Sequence, residues 1–206
     1  MTMNQALKAL ALTCTLKPSP APSSSDLIAS QVLGELRGHG VGGESVRVVD
    51  FDVRPGVETD MGDGDQWPAI RAQVLEADIL LLSTPTWLGH PSSIAQRVLE
   101  RLDAELSETD DEGRPSMYGK VAAVAVVGNE DGAHKIVADC FQALDDIGFT
   151  IPAQGCTYWN SEAMKPKDYN DLDEIPEAVA ATNKALAANA AHLARVLKDD
   201  PYPPMK

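Results

Sequence analysis

The sequence predicts an α/β protein built on an open, five-stranded parallel sheet with helices on both faces. Five short, mostly apolar segments alternate with longer segments in which apolar residues recur every three or four positions, as strands and amphipathic helices do. The strand-like segments are apolar nearly throughout rather than at every second residue, which is typical of strands covered on both faces. Repeated alternation of this kind favours one parallel sheet with right-handed helical connections.

Each predicted strand is defined by an apolar run and by the residues that interrupt it. In chain order the runs are Leu7–Thr13, Val46–Asp50, Ile79–Thr84, Val121–Val127 and a segment around Thr150–Thr157. The fourth contains only Val and Ala, which is typical of a strand covered on both faces. The fifth is broken by Pro152 and Gly155, which predicts a strand at the sheet edge.

Five helices are predicted between and after these strands. Their apolar stripes begin at Ile28, Ile70, Ile94, Ile136 and Val179. Pro68 and Pro176 stand where first helical turns begin, and Gly38 and Gly148 stand where helices end. Parallel strands joined by helices carry their ligands at the carboxyl ends of the strands.

Length and composition favour one domain. The 206 residues are 44% hydrophobic, which suits a single α/β domain over 1–198. The charged, Pro-rich residues 199–206 predict a disordered tail. No apolar run is long enough to span a bilayer, and Met1–Gln5 lacks the basic-then-apolar layout of a signal peptide. We therefore expect a cytoplasmic protein.

Charge and cysteine usage exclude several classes. A formal net charge of −14 disfavours nucleic acid and anionic membranes as partners; it fits an acidic, solubilising surface or a basic protein partner. Cys14, Cys140 and Cys156 are odd in number and widely spaced, so no disulfide framework is predicted. Without a CxxC pair or a Cys/His cluster, no metal site is predicted either.

The loop after the first predicted strand is rich in hydroxyl groups. It runs from Thr15 to Asp26 and contains Lys17, the only cation in its sequence, and the serines Ser23, Ser24 and Ser25. Hydroxyl donors at a helix N-terminus can hold a phosphate. A Pro/Ser-rich surface loop with an ordinary serine cap is the alternative. The loop itself contains neither GxxxxGK nor GxGxxG, which disfavours ATP and dinucleotides in this loop.

The loop after the third predicted strand places an aromatic residue between Pro and Gly. Its residues are Thr84, Pro85, Thr86, Trp87, Leu88 and Gly89, followed by His90, Pro91 and Ser92. A rigidly held ring at the end of a buried strand can stack on a planar ligand. The alternative places Trp87 back on the hydrophobic core.

The loop after the fourth predicted strand is short and contains two glycines. Its residues are Gly128, Asn129, Glu130, Asp131 and Gly132. Two glycines permit close approach of a ligand to the backbone, although an ordinary turn has the same composition. His134 follows, either as a proton donor or as a surface histidine. Three such loops at one sheet edge indicate a binding site more strongly than any one of them.

These three loops resemble those of the flavodoxin-like NADPH-dependent FMN reductase family, over roughly Leu7–Leu197. The resemblance implies strand order 2-1-3-4-5 and bound FMN. It implies that the FMN phosphate is held by Thr15, Lys17, Ser23, Ser24 and Ser25. It implies that the flavin ring is framed by Thr84, Pro85, Thr86, Trp87, Leu88, Gly89, Gly128, Asn129, Glu130, Asp131 and Gly132. Many family members begin the phosphate loop with Gly-Ser-x-Arg, whereas this chain has Cys14-Thr15-Leu16-Lys17, and Lys is not a two-pronged donor.

The resemblance also implies an activity. NADH or NADPH would reduce the FMN, which would pass the electrons to a small acceptor such as a quinone or a flavin. No side chain is required as a nucleophile, and His134 is the one candidate for proton transfer. Family members often place the segment after the last strand, here Tyr158 and Trp159, near a neighbouring subunit, so a homodimer or higher homo-oligomer is expected. The alternative is that both rings are interface or core residues without a role at the site. A flavodoxin-type electron carrier and a non-catalytic flavin-binding protein are the alternatives.

Overall fold

Six strands build the sheet, five of them parallel. They are β1 (Leu7–Thr13), β2 (Val41–Arg47), β3 (Ile79–Trp87), β4 (His90–Pro91), β5 (Val121–Val127) and β6 (Cys156–Trp159). The order is β2-β1-β3-β5-β6, and the two-residue β4 pairs antiparallel with β3. This confirms the predicted order, because β5 and β6 are the fourth and fifth predicted strands. The computed structural model describes residues 6–161 and 163–205, so Met1–Gln5 lies outside the described residues.

Helices cover both faces of the sheet. They are α1 (Ser24–Gly38), α2 (Trp67–Glu76), α3 (Ser93–Leu102), α4 (Ala133–Ile147) and α5 (Glu177–Asp199). One apolar core lies between the sheet and α1 with α5, and the other between the sheet and α2, α3 and α4. All seven residues of β5 are buried, because both cores enclose this strand.

Three strand boundaries differ from the prediction. β2 occupies Val41–Arg47 rather than Val46–Asp50, since it pairs with the whole of β1; Val48–Asp50 forms a 3-10 turn. Its two glycines had weakened the strand signal in the sequence. β3 continues to Trp87 because β4 pairs with its end. β6 begins only at Cys156, after a turn that contains the Pro152 ring, which cannot donate to a ladder.

The C-terminal segment makes contacts that its composition does not predict. The Tyr202 carbonyl accepts a hydrogen bond from the Arg114 guanidinium at 3.1 Å. The Tyr202 hydroxyl lies 3.0 Å from that of Thr150, and its ring lies 5.2 Å from the ring of Tyr118. Contacts of Tyr202 thus hold the C-terminal segment in place, although the charge and proline content of this segment predict disorder. The division at 198 stays a prediction.

A buried ion pair fixes the long connection Arg54–Gln66. Arg101 and Asp65 are 2.7 Å apart, and both side chains are fully buried. Arg101 also donates to the Glu58 carbonyl at 2.8 Å. Burial would raise the pKa of Asp65, but hydrogen bonds from the Met61 amide and the Arg101 guanidinium outweigh it and lower that pKa to about 2. This connection is therefore ordered despite its Gly- and Asp-rich sequence.

Two further observations concern the described residues alone. Within 6–161 and 163–205, no helix combines the length and the apolar character that crossing a bilayer requires. The same ranges hold no group of three or more His, Cys, Asp or Glu side chains placed to bind a metal ion.

The three cysteines are free thiols. Burial raises the pKa of Cys140 to about 12 and raises that of Cys14 further, so neither is a reactive thiolate.

Candidate functional site

Three loops meet at the carboxyl edge of the sheet, beside the point where the chain switches direction between β1 and β3. Neighbouring strands in parallel α/β sheets open a crevice there. The Cys14 amide donates to the Ser83 carbonyl at 2.8 Å. The Ser92 hydroxyl donates to the Cys14 carbonyl at 2.5 Å. These bonds join the loop after β1 (14–23, the first loop) to the segment that comprises the end of β3, β4 and Ser92 (84–92, the second loop).

The first loop ends in the N-terminus of α1. Ser23 caps this helix, since its hydroxyl accepts a hydrogen bond from the Asp26 amide at 3.3 Å. Ser23, Ser25 and Thr15 are buried and Ser24 is half-buried, whereas Lys17 is exposed. The first turn of a helix carries amide groups without intrahelical partners. The predicted hydroxyl groups and this helix end therefore lie together, as an anion site requires.

Two residues hold the first loop, Arg47 at the end of β2 and Asp50 in the 3-10 turn after it, and neither was predicted as a site residue. Arg47 donates to the Ala21 carbonyl at 2.8 Å and to the Lys17 carbonyl at 3.3 Å, and it forms an ion pair with Asp26. Asp50 accepts hydrogen bonds from the Ser19 amide at 2.8 Å and hydroxyl at 2.5 Å. These bonds lower the pKa of Asp50.

The predicted bounds of the second strand assigned Arg47 to the wrong position. A strand over Val46–Asp50 puts Arg47 inside the strand, whereas it is the last residue of β2. At that position its guanidinium reaches the neighbouring loop. Lys17 is therefore not the only cation at this loop, and Arg47 supplies a second one from another strand.

The second loop is largely an extension of β3. Thr84–Trp87 belongs to that strand. The Thr84 hydroxyl accepts a hydrogen bond from the Ser92 amide at 3.0 Å, and Ser92 caps α3 through the Ala95 amide at 3.1 Å. Thr86 is buried and its hydroxyl oxygen has no partner among the described residues. Trp87 is 50% exposed, so its ring does not return to the core.

The third loop (128–132) packs directly against the second. The Glu130 carboxylate accepts a hydrogen bond from the Leu88 amide at 2.7 Å. Gly132 has φ +125°, and a Cβ there would lie 2.7 Å from the Cα of Gly89. A Cβ at Gly128 would lie 3.0 Å from the Cβ of Thr86. Glycine is thus required at Gly132 both by conformation and by space.

A further segment, which no sequence pattern predicts at the site, lies over the third loop. The Asn129 carbonyl accepts a hydrogen bond from the Met164 amide at 2.7 Å. The Asn129 side chain donates to the Asp168 carboxylate at 3.3 Å. The residues from 163 to 171 have no apolar periodicity, so only the folded chain places them here.

The two aromatic residues at the end of β6, Tyr158 and Trp159, have different surroundings. His134 Nε2 and the Tyr158 hydroxyl lie 3.0 Å apart, beside a cavity of about 350 Å³ that also contacts Asp131 and Asn160. Trp159 is buried and packs on Tyr169, with ring centroids 5.3 Å apart. Tyr158 is therefore at the rim of the site, and Trp159 is a core residue.

The residues at this edge suit a ligand with a phosphate at one end and a planar ring at the other. Helix amides and hydroxyl groups favour a phosphate at the first loop, and the exposed Trp87 ring favours a planar group beside the second. Buried polar atoms are seldom without partners. The Thr86 hydroxyl, at the junction of the second and third loops, fits the polar edge of such a ligand.

The family model for NADPH-dependent FMN reductase matches residues 7–163. This chain belongs to that family. Among similar proteins, 8-demethyl-8-aminoriboflavin-5'-phosphate synthase of Streptomyces davaonensis is 32% identical over 209 residues, covering 96% of this chain and 80% of that protein. The divalent metal cation transporter MntH of Mycobacterium bovis is 36% identical over 199 residues. The match covers 93% of this chain but only 29% of that transporter.

Two solved structures are similar to this chain. RosB, with bound 8-demethyl-8-formylriboflavin-5'-phosphate, superposes with a TM-score of 0.86 at 31% identity, over 96% of this chain and 82% of that one. FerB of Paracoccus denitrificans, an NAD(P)H:acceptor oxidoreductase, superposes at 0.60 and 16% identity, over 94% and 98%. The second likeness shows the flavodoxin-like fold alone.

Proposed function

We propose that this protein binds FMN at the carboxyl edge of its sheet and passes electrons from NADH or NADPH to a small acceptor such as a quinone or a flavin. The observation that carries the proposal is the Thr86 hydroxyl, which is buried where the second and third loops meet and has no hydrogen-bond partner within residues 6–161 and 163–205. Family membership over 7–163 supports flavin as the ligand. Bound FMN supplies hydride acceptance and two-electron transfer.

In this proposal the first loop binds the phosphate. The amides at the start of α1 and the hydroxyl groups of Thr15, Ser23, Ser24 and Ser25 face it, and Lys17 adds a point charge. Arg47 pairs with Asp26, which offsets a carboxylate in the first turn of that helix. The loop thereby favours a dianionic ligand.

The second and third loops hold the ring. The residues that frame it are Thr84, Pro85, Thr86, Trp87, Leu88, Gly89, Gly128, Asn129, Glu130, Asp131 and Gly132. Trp87 covers one side of the ring, and backbone groups contact its polar edge. His134, hydrogen-bonded to Tyr158, delivers a proton to the reduced acceptor from the neighbouring cavity.

A second candidate treats the flavin as the substrate. RosB, whose structure holds a formyl-flavin phosphate, superposes on this chain at a TM-score of 0.86 and 31% identity. In this candidate the same loops bind FMN, and its ring substituents are changed. The electron carrier is a third candidate, favoured only by the acidic surface.

Absorbance spectroscopy separates these candidates. We expect added FMN to change its visible spectrum on binding, and we expect anaerobic NADPH to bleach it without another reductase. The flavin recovered after turnover should have the mass of FMN. Bleaching that requires a separate reductase identifies a carrier, an altered mass identifies a flavin-modifying enzyme, and an unchanged free-FMN spectrum contradicts all three.

We also propose that the protein is a cytoplasmic homodimer or higher homo-oligomer. The segment 163–171 over the third loop is a surface at which a second subunit can approach the site. Light scattering coupled to gel filtration measures the mass in solution. A mass of one chain contradicts this assembly.

A further inference from the structure

The hydrogen-bond ladder between β1 and β3 is interrupted at the point where the two strands separate. The Cys14 amide donates to the Ser83 carbonyl at 2.8 Å. In a parallel ladder, the Cys14 carbonyl would then accept from the residue two positions beyond Ser83. That residue is Pro85, which has no N–H to donate. The ladder therefore ends here and leaves the Cys14 carbonyl in need of another donor.

The Ser92 hydroxyl supplies that donor. It lies 2.5 Å from the Cys14 carbonyl oxygen, and both residues are buried. A buried carbonyl group is seldom left without a hydrogen-bond partner. Ser92 stands at the start of α3, so a side chain from another element completes the connection between the two strands.

Ser92 is also bonded to the two elements beside it. Its amide donates to the Thr84 hydroxyl at 3.0 Å, and its hydroxyl accepts from the Ala95 amide at 3.1 Å. Thr84 is fully buried. Ser92 therefore connects the first residue of the first loop, the first residue of the second loop and the first turn of α3. Hydrogen bonds in a dry interior are strong, so they hold these groups in one arrangement.

A companion bond attaches the far end of the first loop to the same strand. The Ser83 hydroxyl donates to the Ser25 carbonyl, in the first turn of α1, at 2.8 Å. The first loop is thus tied to the β3 side at both of its ends, through Cys14 and through Ser25. Its position depends on the strand that carries the second loop.

We propose that Ser92 is a positioning residue that couples the phosphate half of the flavin site to the ring half. This inference rests on the proposed function, because the two halves are those that would bind FMN. A ligand group that orders the first loop fixes the Cys14 peptide, and through Ser92 it also fixes Thr84 and the start of α3. The second group then binds to a loop that is already ordered. Each group therefore strengthens the binding of the other.

The test measures this coupling with two probes, lumiflavin for the ring and inorganic phosphate for the other end of FMN. Lumiflavin is titrated by fluorescence in saturating phosphate and in sodium chloride of the same ionic strength. In the unchanged protein, phosphate should lower the lumiflavin dissociation constant about 5-fold, a typical coupling between two sites. In Ser92→Ala this factor should fall to about 1, which means that the two probes bind independently.

Two further variants separate coupling from stability. Ser92→Gly also lacks the hydroxyl, but glycine is an adequate N-cap, so a loss of coupling there does not come from fraying of α3. Thr13→Val removes a buried hydroxyl that donates to the Val46 carbonyl at 3.3 Å, between two strands rather than between two loops. This control should lower the melting temperature by about 2–4 °C and leave the coupling factor unchanged.

The outcomes distinguish this inference from the proposed function. Undiminished coupling in both Ser92 variants overturns the inference, as does independent binding of the two probes in the unchanged protein, and either result leaves FMN binding intact. A loss of coupling in Thr13→Val also overturns it, because any lost hydrogen bond would then suffice. Absence of lumiflavin binding contradicts both. Coupling that depends on Ser92, in a protein that does not oxidise NADPH, supports the inference and contradicts the proposed reductase.

Discussion

The Glu130 carboxylate accepts a hydrogen bond from the Leu88 amide at 2.7 Å. This bond joins the second loop to the third, which belong to different strands. The close packing of Gly132 against the backbone of Gly89 is a second contact between the two loops. The two loops therefore form one surface, and changes in either are expected to affect ligand binding by both.

Replacing Glu130 tests this connection. Glu130→Ala removes the acceptor for the Leu88 amide, and the FMN dissociation constant should rise about 3- to 10-fold, the usual loss for one hydrogen bond. Glu130→Gln keeps a carbonyl acceptor and should bind FMN nearly normally. Fluorescence titration measures both constants. Equal weakening of FMN binding in the two variants would indicate that the negative charge of Glu130, rather than this hydrogen bond, determines the FMN affinity.

Arg47 is expected to govern phosphate binding. Arg47→Leu leaves Asp26 unpaired in the first turn of α1 and removes two bonds to the first loop. The FMN dissociation constant should rise at least about tenfold, since charge-assisted bonds are stronger than neutral ones. Arg47→Lys should lose less.

Riboflavin provides the matched control for Arg47, because it lacks the phosphate. Its affinity, measured by the same fluorescence titration, should be the same in Arg47→Leu and in the unchanged protein. A similar loss for FMN and riboflavin would show that Arg47 supports the whole site rather than the phosphate loop.

Thr86→Val tests the unpartnered hydroxyl. Valine matches threonine in shape, so the protein without ligand should be as stable or more stable, because a buried polar atom without a partner is removed. FMN affinity should fall about 3- to 10-fold. Thr157→Val is the matched control, since the Thr157 hydroxyl in β6 is also buried and unpartnered. It should raise the melting temperature and leave FMN affinity unchanged; a loss of affinity there would remove the special role of Thr86.

Acid should weaken the fold through Asp65. Its pKa is lowered from 3.8 to about 2 in the folded protein. A lowered carboxyl pKa contributes stability that is complete above the unfolded value and is lost as pH falls through the folded one. Asp65 should therefore contribute about 2 kcal/mol at neutral pH, which disappears between about pH 4 and pH 2.

Asp65→Asn checks this contribution by thermal unfolding across that pH range. At pH 7 the variant should be less stable by about 3–5 kcal/mol, because Arg101 becomes a buried charge without its partner. The gap from the unchanged protein should narrow as the pH falls toward 2. A gap that is constant with pH would assign the effect to packing.

Local sequence determined much of the fold and part of the site. Leu7–Thr13 and Val121–Val127 are strands at the predicted bounds, because an unbroken apolar run is stable only between two layers of helices. The order of the strands was predicted from the resemblance to the family. The Trp87 segment was predicted as part of the site from its own residues, since Pro, Gly and an aromatic ring beside a buried strand are local features.

Tertiary structure alone decided how the loops are held. Arg47 reaches Asp26 from another strand, Asn129 meets Asp168, and Leu88 meets Glu130. These are single hydrogen bonds between segments distant in the chain, and they leave no periodic trace in the sequence. Leu88 is a second example. Nothing in the sequence distinguishes it from any other leucine, and only the folded chain shows its positive φ and its exposed side chain. Apolar periodicity records which face of a segment is buried, whereas the partner of one polar group depends on the position of the whole chain.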